Sequence, residues 1–213
     1  MNKTIPTKIA NHFENVDPKI YAFMRNLNFD DWFSPHKKQT DKDYFVALCR
    51  EIIGQQLSGK AASSIYGRFA NLFETSKITS DLVLAVSDQK LRDCGLSWAK
   101  VSYIKSLAQL KKSGTVALEA LPKLSDEKVV EELVKVKGIG PWTAEMFLIF
   151  TLNRQNVFSF GDLDLKKGIE KVYDLNDPST KQIEKIIRKW EPLKTYGSIA
   201  LWHSLEVDIK DYR

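Results

Sequence analysis

Leu133-Val134-Lys135-Val136-Lys137-Gly138-Ile139-Gly140-Pro141-Trp142-Thr143-Ala144 is the stretch that decides how this chain folds. It reads as a helix, a tight turn and a second helix. Gly138 and Gly140 accept positive φ and a close backbone approach, Ile139 plugs the core beneath the turn, and Pro141 suits the first turn of the next helix. Main-chain N–H groups exposed at such a turn, backed by the positive end of the second helix, can hold a phosphate oxygen. That contact would position a DNA backbone without reading its sequence. A Gly-x-Gly turn between packed helices is also an ordinary structural device, so the stretch alone leaves both readings open.

Outward from the turn, helical periodicity dominates. Phe45, Leu48, Cys49, Ile52 and Ile53 fall on one helical face. So do Ile183, Ile186, Ile187 and Trp190, in a segment opened by a Ser179–Gln182 capping box. Looser stripes run through Ala62, Ile65, Phe69 and Phe73, through Val101, Ile104 and Ala108, through Val129, Val130 and Leu133, and through Leu165, Ile169 and Val172. No segment alternates as a strand would, and the breaks at Lys77–Ser80, Ser113–Thr115, Gly138–Gly140 and Asn176–Pro178 are short. The expectation is an all-α protein with short loops and a polar linker over Ser34–Asp43.

Composition narrows the class without choosing a function. With 213 residues, 43% of them hydrophobic, the chain can bury a core as one unit or two small ones. A net charge of +5 is compatible with a polyanionic partner but does not demand one. Met1–Phe13 lacks the apolar run of a secretory signal or membrane anchor, so no membrane partner is expected, and the cytoplasm, or the nucleus in a eukaryote, is the expected location. Cys49 and Cys94 sit in apolar helical patterns and read as buried thiols; two cysteines cannot ligate a four-cysteine iron–sulfur cluster. His12, His36 and His203 have no metal-ligand spacing, so no metal site is expected.

After the second helix of the hairpin comes Val157-Phe158-Ser159-Phe160-Gly161-Asp162-Leu163-Asp164-Leu165, a loop that delivers Asp162 to the start of another helix. The helix dipole there favours an anionic carboxylate. An N-cap role, which needs no chemistry, suits the same residue.

Taken together, the chain resembles the helix-hairpin-helix glycosylase superfamily, in which a Gly-x-Gly hairpin is followed, one helix and loop later, by an essential Asp. The closer likeness is to the DNA-3-methyladenine glycosylase II family, in a short form without the N-terminal β domain of longer relatives. The likeness rests on Asp17-Pro18, Ile53-Gly54-Gln55-Gln56-Leu57-Ser58, Gly138 to Ala144, Val157-Phe158, Asp162, and Trp190-Glu191-Pro192 in the family's order along nearly the whole chain. Leu193 departs from it, since the family commonly has an aromatic after the Glu-Pro pair.

The resemblance implies two helical subdomains flanking a cleft: residues 43–155 with the loop and hairpin, and residues 1–42 with 156–213, Asp162 lying at the border. It implies a monofunctional glycosylase that acts as a monomer on double-stranded DNA containing alkylated bases and hydrolytically removes alkylated purines. Asp162 takes the catalytic position; Asp164, two residues on, does not match it. In relatives that also nick the strand, a Schiff-base lysine stands two residues after the second hairpin glycine; here that position is Trp142, so no imine is expected. Gln55-Gln56-Leu57 matches the loop that fills the gap left by an extruded base, with Gln56 as the wedge. Gly138, Ile139 and Gly140 would grip phosphate, Lys60 is a further candidate phosphate contact, and Trp142, Met146 and Phe160 are candidates for contacting the base. No cofactor is expected, and a monovalent cation bridging hairpin and phosphate stays open. So do a non-catalytic DNA-binding module and a glycosylase for a different damaged or mismatched base.

Overall fold

The computed structural model describes residues 6–25, 27–32, 44–73 and 77–207; the expected Ser34–Asp43 linker and His36 lie outside them. Among the described residues every regular element is helical, and no helix is long and apolar enough to cross a membrane. The chain divides into two compact units, Met1–Lys38 with Leu148–Arg213, and Gln39–Phe147. In chain order the first unit starts with α1 (Thr7–Val16), α2 (Pro18–Met24) and the short α3 (Phe29–Trp32). The second contributes α4 (Tyr44–Gly54), α5 (Gly59–Ala70), α6 (Ser80–Ala85), α7 (Asp88–Asp93), α8 (Trp98–Lys112), a 3-10 helix over Leu118–Lys123, and α9 (Asp126–Leu133). After α10 (Pro141–Phe150) come α11 (Leu163–Tyr173), α12 (Thr180–Ile187), a 3-10 turn over Arg188–Trp190, and α13 (Lys194–Glu206).

Hydroxyl caps set where many of these helices begin. Ser58, Thr79, Ser87, Ser97, Ser125 and Ser179 each accept a hydrogen bond from the amide three residues on, and Ser179 forms the expected reciprocal box with Gln182. Such caps are worth about 1 kcal/mol each. In the second unit the apolar face of α4 supplies Phe45, Leu48, Cys49, Ile52 and Ile53, all fully buried, against α5 and α8. Each of the Phe, Leu and Ile side chains contributes about 1.5–3 kcal/mol relative to exposure. Both cysteines are buried thiols, not a disulfide.

In the first unit, α11 and α2 pack on α13 around a core that includes Phe13, Ile20, Met24, Leu165, Ile169, Trp190 and Leu201. One polar knot lies inside it. Asp17 caps α2, and its Oδ2 accepts from the Tyr173 hydroxyl at 2.7 Å and the Trp190 indole at 3.0 Å. The Asp17-Pro18 and Trp190-Glu191-Pro192 signatures, far apart in sequence, thus meet in one buried network. Burial and the Asp17 charge push the Tyr173 phenol well above its usual range.

The division between units falls at Phe147/Leu148, inside α10, whereas the sequence reading put a boundary at Gln155. The helix carries no breaker at that point. Its last residue, Phe150, stacks on Trp202 of α13 at 5.8 Å between centroids, which groups the end of α10 with the first unit.

Candidate functional site

The turn from α9 to α10 is a two-glycine hairpin whose glycines answer different demands. Gly138 has φ 85°, and a Cβ there would lie 2.1 Å from the Tyr103 ring, so packing inside the protein excludes any side chain. Gly140, which could accept a positive φ, does not adopt one, and a Cβ on it would meet nothing within 4 Å. Its openness leaves the main chain approachable from outside. Ile139 is buried, as the plug reading expects, but its amide donates to the Val136 carbonyl at 3.0 Å and is not available to a phosphate. The amides of Gly138 and Gly140 donate to none of the described residues, so these two are the candidate phosphate donors.

Next to the hairpin stands the Gln55–Leu57 loop. The Gln55 amide is turned inward: its Nε2 donates to the Gly138 carbonyl at 2.9 Å and lies 3.4 Å from Thr143 Oγ1. Gln55, a candidate DNA contact, ties the loop to the hairpin through this amide. Gln56 and Leu57 are exposed, and Gln56 holds the left-handed conformation at φ 57°. A non-glycine residue in that region costs roughly 1–2 kcal/mol and draws attention to the loop. Lys100 of α8 donates to the carbonyls of Ile53 and Gln55, at 2.8 and 2.7 Å. Nothing in sequence periodicity singled this lysine out.

On α10, Trp142 follows the hairpin 45% exposed, while Met146, one turn later, is buried. Trp142 therefore offers an aromatic surface, and Met146 packs inside. Lys60 is exposed at the start of α5.

Asp162 is the N-cap of α11 and is only 8% exposed. Its Oδ1 accepts from the amides of Asp164 and Leu165, both at 2.9 Å, and from the Trp202 indole at 3.4 Å. Trp202 is itself fixed, stacked on Trp32 with 8° between planes and on Phe150 from α10. The segment leading to Asp162 is clamped by α13: Thr195 Oγ1 donates to the Arg154 carbonyl and accepts from the Val157 amide, and Ser198 donates to the Val157 carbonyl. Exposed Phe160, edge-on to Phe158, and exposed Leu163 stand on either side of Asp162 in the chain. The result is a carboxylate held in one orientation by a helix N-terminus and the Trp202 indole. Such an anion can stabilise positive charge developing on a bound group. Asp164, by contrast, is exposed and paired with Lys167.

Comparisons with known proteins converge on one family. The model of the HhH-GPD superfamily base excision DNA repair protein matches residues 49–192. The chain is 31% identical over 199 residues to DNA-3-methyladenine glycosylase 1 of Schizosaccharomyces pombe, covering 92% of this chain and 85% of that protein. It is 34% identical over 173 residues to a protein of Bacillus subtilis, covering 77% of this chain but only 60% of that relative's length. The solved structure of a Schizosaccharomyces pombe 3-methyladenine DNA glycosylase in complex with abasic DNA is similar with a TM-score of 0.77 and 29% identity, over 94% of this chain and 97% of that one.

Proposed function

Because the chain belongs to the HhH-GPD superfamily of base excision DNA repair proteins, we propose that it is a monofunctional DNA glycosylase that flips alkylated purines of the 3-methyladenine type out of duplex DNA and hydrolyses their glycosidic bond. The observation that carries this reading is the buried, helix-capping Asp162, fixed from α11 and by Trp202. Breaking an N-glycosidic bond builds positive charge on the sugar, and a fixed carboxylate stabilises that charge as it develops. An alkylated purine is already cationic and leaves readily, so one carboxylate suffices where glycoside hydrolysis ordinarily uses two.

The other residues take roles that suit their surroundings. Gly138 and Gly140 grip a phosphate through their amides, with Ile139 as the plug beneath. Gln56 and Leu57 fill the gap in the base stack, which an enzyme acting on a buried base must open. Trp142 and Phe160 present aromatic faces, which attract a cationic purine. With Trp142 in place of the lyase branch's lysine, the product is an intact strand carrying an abasic site. The protein acts as a monomer on double-stranded DNA, in the cytoplasm or, in a eukaryote, the nucleus.

The test is excision from duplexes carrying methylated, ethylated, deaminated or oxidised bases. Free methylated purine should appear, with strand cleavage only after alkali. Binding without release from any duplex would make the chain a non-catalytic DNA-binding module, and release of an oxidised base or cleavage without alkali would move it to another branch of the superfamily.

A further inference from the structure

The Gln55–Leu57 loop is held by side chains to which the proposed chemistry assigns no task. Lys100, in the first turn of α8, reaches the C-terminal end of α4 and donates to the carbonyls of Ile53 and Gln55. These are orphan acceptors at a helix end, where a cation also complements the dipole. From the other side, Gln55 Nε2 donates to the Gly138 carbonyl. One turn along α8 from Lys100, Tyr103 closes off the space beneath Gly138. A single turn of α8 therefore supports both the loop and the hairpin.

Capping alone does not explain this arrangement. Lys105, further along the same helix, caps α6 in the same way through the carbonyls of Leu84 and Val86, and the segment it holds contains no left-handed residue. The Lys100 segment leads directly into exposed Gln56 at φ 57°. A strained conformation of this kind persists only where its surroundings over-determine it. Burial lowers the Lys100 ammonium below the usual lysine range, while the two carbonyls it donates to favour its charged form.

We propose that Lys100 and Gln55 are positioning residues that lock the Gln55–Leu57 loop to the hairpin, so that the loop meets the duplex already shaped and in register with the phosphate grip. The inference rests on the glycosylase reading above. A loop that had to become ordered during insertion would lose about tenfold in affinity for each residue fixed.

Lys100→Met keeps the stem and removes the ammonium, Lys100→Arg restores a cationic donor, and Lys105→Met removes the comparable cap from α6. Affinity is measured for a duplex containing an abasic-site analogue and for the intact duplex, together with hydrogen exchange of the Leu57 amide, which bonds to the Gly54 carbonyl at 3.1 Å. Lys100→Met should weaken abasic-duplex binding about tenfold, leave intact-duplex binding within about twofold, and speed Leu57 exchange. Lys100→Arg should recover both, and Lys105→Met should behave as the parent. Retained discrimination in Lys100→Met, or the same loss in Lys105→Met, overturns the proposal. If the parent neither prefers the abasic duplex nor excises any base, the glycosylase reading fails separately; parental Leu57 exchange in Lys100→Met then refutes the lock itself.

Discussion

Asp162→Asn removes one negative charge while leaving an oxygen able to occupy the position of Oδ1. That oxygen accepts two amide hydrogen bonds at 2.9 Å and one indole contact at 3.4 Å, all of which an amide oxygen can also accept. Asn and Asp are near-equal N-caps, so the stability lost is the charge–dipole part, about 0.3–1 kcal/mol. For a chain of this length that lowers Tm by no more than about 4 °C. With a total stability of about 5–15 kcal/mol, the folded fraction at 25 °C is essentially unchanged. The transition state loses a fixed charge, and deleting even one neutral donor to a developing charge costs about 10²–10³ in rate. Single-turnover excision on a methylated-purine duplex, with enzyme in excess, should therefore fall at least that far, while anisotropy reports undamaged-duplex affinity within about twofold of the parent. Asp162→Ala loses the cap as well, about 1–2 kcal/mol, yet should fall no further in rate than Asn. An Asn variant with the parental rate, or an Ala variant alone defective, would reduce Asp162 to a structural cap.

The two hairpin glycines should separate by the kind of damage they suffer. Gly138→Ala must overcome both the Tyr103 ring and a positive φ, and a loss of about 2–4 kcal/mol is expected in urea denaturation. Gly140→Ala should stay within about 0.5 kcal/mol of the parent and lose duplex affinity at least about fivefold; unchanged affinity would remove the amide grip at Gly140. Tyr173→Phe leaves the buried Asp17 carboxylate short of a donor and should cost about 1–3 kcal/mol, with excision per folded molecule unchanged. Because burial and then the Asp17 charge raise the Tyr173 phenol, its contribution is complete below the unfolded value near pH 10 and is lost as pH climbs towards the raised folded value. Tyr173→Phe should flatten that alkaline limb, and an unaltered slope would detach the effect from this phenol.

The helices were legible because their evidence is local. The stripe through Phe45, Leu48, Cys49, Ile52 and Ile53 is buried along its whole length, and the Ser179–Gln182 box forms as read. Less could be read where a residue's duty depends on what arrives from elsewhere in the chain. A Gly-x-Gly spacing does not say which glycine is required by φ and which by outside access, and of the two only Gly138 takes the positive φ. Adjacent glutamines are indistinguishable until Gly138 captures one of them. No motif singles out Trp202, yet its stack on Trp32 and Phe150 aims the indole at Asp162. Met146 lay on a helix whose apolar residues continue almost unbroken, and periodicity could not tell its buried face from the face that exposes Trp142.

Asp17 and Asp162 show why chemistry cannot be assigned from residue type and cap geometry alone. Each is a buried aspartate at a helix N-terminus within the first unit, and each accepts an indole N–H from a tryptophan. By burial and capping they would be equal candidates. Their settings differ in what a substrate could reach: Asp17 lies between α1 and α2, among Phe13, Ile20 and Trp190 in the core, and its Oδ2 is shared by Tyr173 and Trp190. Asp162 has exposed Phe160 and Leu163 on either side of it in the chain. A carboxylate enclosed by core contributes to stability, whereas one flanked by exposed apolar surface can meet a ligand that displaces water and strengthens its field. That contrast requires Asp17→Asn to lower stability while sparing the rate per folded molecule, the reverse of Asp162→Asn. A matched loss of rate in both, at equal folded fraction, would mean that the surroundings do not distinguish them.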